Sequence, residues 1–395
     1  MGLTATKTVL LAVLVAVLLF AATIWLWPKL AGRSVQAVLG RIGTLLLAQI
    51  SLFAAVGLWA NQSFGFYGSW ADLLGTEDTP GVVVDHDTPL SKQVQVQGVQ
   101  KVNVPGSHQA TVAGRIEKVT IQGPQSRIAS KAYVYLPPEY FQEEYKNHRF
   151  RAALVLTGYP GTTEALMYGL KYPQTAHKLV KDGKMPPMVL VMMRPTVKPP
   201  RDTECMDVPG GPQTETYFTQ DVRNAVTAHY RVGDKAQNWG VMGNSTGGYC
   251  ALKMPMRHPK AFSVGVGLSP AYEAPKDATT GDLFGGSAQV RRENNLMWRL
   301  DHKPAPPVSL LVTSSKHGEK LHKKTEKFID KVIKLNRQGA PTRISSMILE
   351  SGGHNFNTWK REIPGCLEWL SNRLEAPEAP KPPAHKAPKP PAQRS

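Results

Sequence analysis

A mostly parallel α/β sheet, covered by helices on both faces and preceded by two membrane-spanning helices, is the architecture this sequence predicts. Three observations carry it. Two long apolar runs open the chain. Short apolar runs then alternate with helical patterns from about 113 to 374. One of those runs leads directly into Gly-x-Ser-x-Gly, in "WGVMGNSTGGYC".

The chain has 395 residues, of which 42% are hydrophobic, enough for a large core. Its formal net charge is +17, so an anionic partner has to be weighed. No nucleic-acid motif accompanies the charge, and the basic residues are scattered rather than interleaved with aromatics. Nucleic acid is therefore excluded as the expected partner, in favour of a basic surface facing anionic envelope polymers or lipid. The three cysteines, Cys205, Cys250 and Cys366, fit neither a disulfide scaffold nor a zinc spacing. No metal or organic cofactor is expected, and no feature of the sequence sets an oligomeric state.

The first apolar run, 9–27, carries no charge and is long enough to span a bilayer, with Trp25 and Trp27 at one end. The second, 42–60, is interrupted only by Gln49 and a few hydroxyls. A signal peptide is the alternative for the first, but "WPKL" offers no small-residue cleavage site and the second run still needs a membrane. Residues 1–62 thus read as a two-helix anchor. Its short connection holds Lys29, Arg33 and Arg41 and no acid, whereas Asp72, Glu77 and Asp78 follow the second run. The positive-inside rule puts the connection in the cytoplasm and the rest of the chain outside. Residues 63–112 read as a linker whose "QVQVQGVQKVNV" alternates at period two, as an exposed strand does. At the other end, 375–395 is a Pro/Ala/Lys tail that cannot build a core.

Within 113–374, "RIEKVTI", "KAYVYL", "AALVLT", "MVLVMM", "WGVM", "FSVGVGL", "VSLLVTS" and "RISSMIL" read as strands. Helical patterns separate the later ones. "YFTQDVRNAVTAHY" puts Phe218, Val222, Ala225, Val226 and His229 on one face, and a second stretch aligns Leu321, Phe328, Ile329, Val332 and Leu335. Strands alternating with helices imply a mostly parallel sheet covered on both sides.

Strand, Gly-x-Ser-x-Gly, helix is the context of a nucleophile elbow, so Ser245 is the candidate nucleophile. An acid and a histidine should follow in that order at strand ends. Glu319 lies just past "VSLLVTS", and His354 follows the last strand on a Gly-Gly turn. Asp301 is the other available acid, but it precedes its strand; His317 reads as a surface residue. Two backbone donors for an oxyanion fall on Thr246, directly after the serine, and on Tyr159 of "TGYPG", since Pro160 has no N–H. Each residue alone also fits an ordinary loop position; it is their order at strand ends that points to chemistry.

These segments, with "VYLPPEY", "LSPAY" and "GGHNFNTW", resemble the esterase D and antigen 85 mycolyltransferase branch of the α/β-hydrolases, in a membrane-anchored actinobacterial form. The resemblance covers roughly 113–374. It implies an α/β-hydrolase fold and a serine esterase or acyltransferase with Ser245, Glu319 and His354 as triad and Tyr159 and Thr246 as oxyanion donors. Its substrate would be an ester or acyl donor, with an envelope glycolipid or sugar as acceptor. Two departures stand out: Thr246 replaces the methionine common after the family's serine, and "SSKHGE" replaces the usual Gly-Asp form of the acid segment. In the strand order of that fold, the loop holding Cys205 and the helix holding Cys250 open at one edge of the sheet. A Cys205–Cys250 disulfide is therefore expected if the domain is extracytoplasmic, the alternative being three reduced cysteines. An S-formylglutathione-hydrolase-like thioesterase, a serine peptidase and a non-catalytic envelope-binding scaffold are the competing functions.

Overall fold

In a computed structural model of the protein, the apolar runs become the strands of one nine-stranded sheet. The structure describes residues 3, 5–64, 70–74, 92–104, 109–197, 201–276 and 279–378. Most of the expected tail, from 379 on, and much of the expected linker, with Glu77 and Asp78, lie outside the described residues.

The strands are β1 (Val94–Lys101), β2 (Arg115–Gly123), β3 (Ile128–Leu136), β4 (Arg151–Leu156), β5 (Met188–Met193), β6 (Trp239–Asn244), β7 (Val264–Leu268), β8 (Ser309–His317) and β9 (Arg343–Ser351). Their order is β1-β2-β3-β5-β4-β6-β7-β8-β9. The first three pair antiparallel and β3 runs antiparallel to β5; from β5 to β9 every pairing is parallel. This is the α/β-hydrolase architecture, with an antiparallel extension at one edge.

The central strands are apolar without alternation because both of their faces are covered. Along β5, Val189, Val191 and Met193 join one core while Met188, Leu190 and Met192 join the other. The first core also takes Tyr217, Phe218 and Phe328 from the helices on its side. The second takes Tyr172, Phe356, Trp359 and Leu367 from helices Tyr172–Lys181 and Phe356–Arg373. The period-two segment expected to be an exposed strand is β1, the edge strand, which pairs with β2 from Val94 to Lys101.

One face assignment is corrected. His229 is exposed rather than on the buried face with Val222 and Val226. The reason is local: His229 is the last residue of helix Arg223–His229, and the chain turns extended at Tyr230, with φ −110° and ψ 156°, so the stripe passes off the helix there. Tyr230 is buried instead, and its hydroxyl donates to Glu117 Oε2 at 2.8 Å.

The two apolar N-terminal runs form helices Thr6–Leu26 and Val35–Phe64. Both are long and apolar enough to cross a bilayer, and only 11% and 6% of their apolar windows are buried. They lie side by side, Gln62 Nε2 donating to Thr6 Oγ1 at 3.0 Å. A core helix would bury its apolar surface; these present it outward.

Candidate active site

The parallel strands β4 to β9 point their C-terminal ends to one edge, and the candidate residues collect there. Ser245 sits between β6 and helix Thr246–Arg257 with φ 55° and ψ −121°, a conformation costly for a residue with a side chain. Its amide donates to Leu268 O of β7 at 2.9 Å. Two residues on, the helix passes so close to β4 that a Cβ on Gly247 would lie 2.4 Å from Leu156 O and Thr157 O. Both are rigid backbone atoms, so glycine is required there.

Ser245 Oγ lies 2.8 Å from His354 Nε2, and His354 Nδ1 lies 3.3 Å from Glu319 Oε2. Glu319 reaches this place because Gly318 turns the chain at φ 98°, packed so closely on the histidine loop that a Cβ would sit 2.6 Å from Gly352 O. Its side chain is only 3% exposed. Burial acts to raise the Glu319 carboxyl, but the hydrogen bond and charge of His354, the Ser269 hydroxyl and the Leu321 amide outweigh it and hold it below the ordinary value. The structure thus brings Ser245, His354 and Glu319 together. Asp301 is bound instead by Lys331, and His317 is exposed against Glu350.

Thr246 is the first residue of its helix, so its amide belongs to the donors that a helix leaves unsatisfied. Its hydroxyl donates to Asp202 Oδ2 at 3.3 Å. The loop carrying Tyr159 abuts the serine: a Cβ on Gly158 would lie 2.9 Å from Ser245 Cβ, and Tyr159 shares a cavity with Ser245 and His354. Cys205 and Cys250 are joined by a disulfide with Cα atoms 5.8 Å apart, while Cys366 is buried and free.

Several residues at the site escape sequence reasoning. Trp359 sets its ring edge-on to the His354 imidazole, centroids 5.1 Å apart, and donates from Nε1 to Ser269 Oγ at 3.1 Å. Ser269, in "LSPAY", has a strained φ of 45° of its own. Lys253, on the helix after Ser245, is fully buried and donates to the carbonyls of Glu204 and Cys205 at 2.9 and 2.8 Å. A lysine at that helical position carries no local sign that it is inside.

Glu362 lies buried behind Ser269. Thr313 Oγ1 donates to its Oε2 at 2.8 Å and accepts from the Ser269 amide at 3.2 Å. Burial above all, with the Glu319 charge and against the Thr313 bond, pushes the Glu362 carboxyl up to about 7. Its folded value exceeds the ordinary 4.5, so the native state holds this proton more tightly than the unfolded chain does. That contribution is complete below about pH 4.5 and is lost as pH rises through about 7. Glu362→Gln should flatten the slope, gaining on the order of 2–3 kcal/mol on the native protein between these pH values. Urea midpoints at pH 4.5 and pH 8 check it; the same pH dependence in both proteins would mean that Glu362 is not the group responsible.

Comparison with known proteins gives the family and the fold. The Esterase family model matches residues 128–370, more than half of the chain. An uncharacterized protein of Corynebacterium glutamicum is 22% identical over 369 residues, covering 89% of this chain and 82% of that one. Among solved structures, an S-formylglutathione hydrolase from Agrobacterium tumefaciens is similar at TM-score 0.56 and 16% identity, covering 69% of this chain and all of its own. The fluorophosphonate-binding serine hydrolase F of Staphylococcus aureus is similar at TM-score 0.52 and 18% identity, covering 65% of this chain and 98% of its own. These two likenesses are of fold.

Proposed function

The chain belongs to the Esterase family and is an enzyme of the carboxylic-ester-hydrolase class, and from that premise we propose that it works through an acyl-enzyme on Ser245. The observation that supports this most is the continuous contact from Ser245 Oγ through His354 to Glu319, at 2.8 and 3.3 Å. In this reading His354 Nε2 takes the serine proton as Oγ attacks the ester carbonyl. Glu319, kept ionised by its surroundings, fixes the other ring nitrogen and stabilises the imidazolium. The tetrahedral oxyanion is met by the amides of Thr246 and Tyr159. The imidazolium then protonates the departing alcohol, and water or a second alcohol resolves the acyl-enzyme.

Water makes the protein an esterase. A sugar or glycolipid hydroxyl makes it an acyltransferase of the antigen 85 kind. The two apolar helices anchor it, and the basic residues at their turn, Lys29 and Arg33 between the helices and Arg41 near the start of the second, hold the catalytic domain outside the cytoplasm. The S-formylglutathione hydrolase likeness keeps a thioesterase as the second reading. The non-catalytic scaffold has against it a serine, histidine and carboxylate in contact.

A membrane-impermeant fluorophosphonate probe tests the reading in one experiment. It should label the protein on intact cells, and the purified labelled enzyme should lose turnover of oxygen esters. Labelling only after lysis reverses the topology. No labelling at all favours the scaffold, and turnover confined to thioesters favours the second reading.

A further inference from the structure

Two cavities meet at Ser245 and His354, and their linings differ in chemistry. The smaller, ≈ 240 Å³, is walled by Leu166, Leu170, Phe356 and Trp359. The Phe356 ring packs directly on Gly169, where a Cβ would lie 2.7 Å from it. This cavity suits an apolar group of a few carbons. The larger, ≈ 520 Å³, runs past Ser269 and Tyr272 and carries the charges of Lys276, Arg291, Lys324, Glu204 and Glu273.

These charges do not cancel evenly. Glu273 Oε1 lies 3.5 Å from Lys324 Nζ, and Glu273 Oε2 accepts from Asn295 Nδ2 at 2.9 Å. Glu204 is buried, 3% exposed, and its charge acts on the buried Lys253 ammonium. Lys276 and Arg291 are exposed, and among the described residues neither has a carboxylate partner. Among the described residues, the cleft beside the nucleophile therefore presents two cations without a carboxylate partner, and its concave walls concentrate their field.

We infer that this cleft receives the alcohol portion of the ester, that this portion bears an anionic group, a carboxylate or a phosphate, and that the acyl group lies in the apolar cavity. The inference rests on Ser245 being the nucleophile. When the acyl C–O bond breaks, His354 gives its proton to the departing alkoxide oxygen. The anionic alcohol then leaves along Lys276 and Arg291, and an anionic acceptor enters by the same route.

The test uses three esters of one short acid with alcohols matched in acidity: one neutral, one bearing a carboxylate and one a phosphate. The wild-type enzyme should prefer both charged esters in kcat/KM, by about two- to fivefold for each cation engaged, the scale of an exposed ion pair. The preference should fade in high salt. Lys276→Ala with Arg291→Ala should bring it to about one, Lys276→Glu with Arg291→Glu should invert it, and Lys334→Ala, on helix His322–Arg337, should leave it alone. Phe356→Ala should extend the accepted acyl chain length without touching the charge preference. A wild-type preference of one or less, or a preference that survives the double substitution, overturns the inference. So does a charge preference that follows Phe356 rather than the two cations, because the portions are then exchanged. Failure of the underlying reading looks different: neither neutral nor charged ester turns over, and the fluorophosphonate probe does not label Ser245.

Discussion

Replacing Ser245 with alanine is expected to lower kcat by about a millionfold, the scale seen when a serine hydrolase loses its nucleophile. The substitution removes one oxygen and leaves the fold intact, for Ser245 supports the elbow through its backbone: its amide bonds to Leu268 O and its carbonyl accepts from Tyr249 N, both at 2.9 Å. Alanine is also no easier to hold at φ 55° than serine, so the strain is unchanged. Turnover of a p-nitrophenyl ester by the purified variant, with its melting curve as control, measures the effect. Activity within tenfold of wild type would remove Ser245 from the chemistry. Glu319→Gln should cost less, about ten-thousandfold by analogy with loss of the triad acid's charge. His354 keeps its contact with Ser245 Oγ in that variant and loses only the charge that orients and stabilises it.

Removing the Cys205–Cys250 bridge has the second largest expected effect. The bond closes a loop of 45 residues, and its loss from the paired Cys205→Ser, Cys250→Ser variant should cost about 2–4 kcal/mol in urea unfolding. Activity should change with it, since the bridge holds a strained loop against the site. Glu204 and Cys205 have φ of 47° and 51°, and Lys253 secures both of their carbonyls from the nucleophile helix. Three residues before Cys205, Asp202 accepts from the Thr246 hydroxyl and from the Glu204 amide. A loosened loop should therefore raise KM more than it lowers kcat. Equal stability of the native and the paired-serine proteins under oxidising conditions, or three free thiols by mass mapping, would show that the bridge does not form.

Much of this candidate site is legible in the sequence, and the reason is that its parts are local. A parallel strand covered on both faces must be a run of apolar residues, so "MVLVMM" and "AALVLT" declare themselves. An elbow needs glycines within two residues of its serine, so Ser245 does too. Glu319 and His354 follow strand ends at a distance of a few residues. What escaped notice is made of contacts between distant segments. Asp202 meets Thr246 from 44 residues away, and Thr313 meets Glu362 from 49. No period or motif joins such pairs; only the order of strands does. The misplaced His229 has a different origin, since a 3.6-residue stripe does not show where its helix stops, and this one stops at His229. The polarity of the cleft is hidden as well, for Lys276 and Arg291 come from separate segments that no motif or period joins.

The two apolar helices run alongside each other as a hairpin, with Thr6 at the start of the first in contact with Gln62 near the end of the second. On the membrane-spanning reading, such a hairpin returns the chain to the face of the bilayer from which it set out. The amino terminus and the enzyme then share a compartment, whichever compartment that is. A fluorescent protein fused at Met1 and one fused at Ser395 would mature in the same surroundings and report the same side. The opposite face would see only the few residues between the helices, around Gly32, so a reporter for that face has to be inserted there.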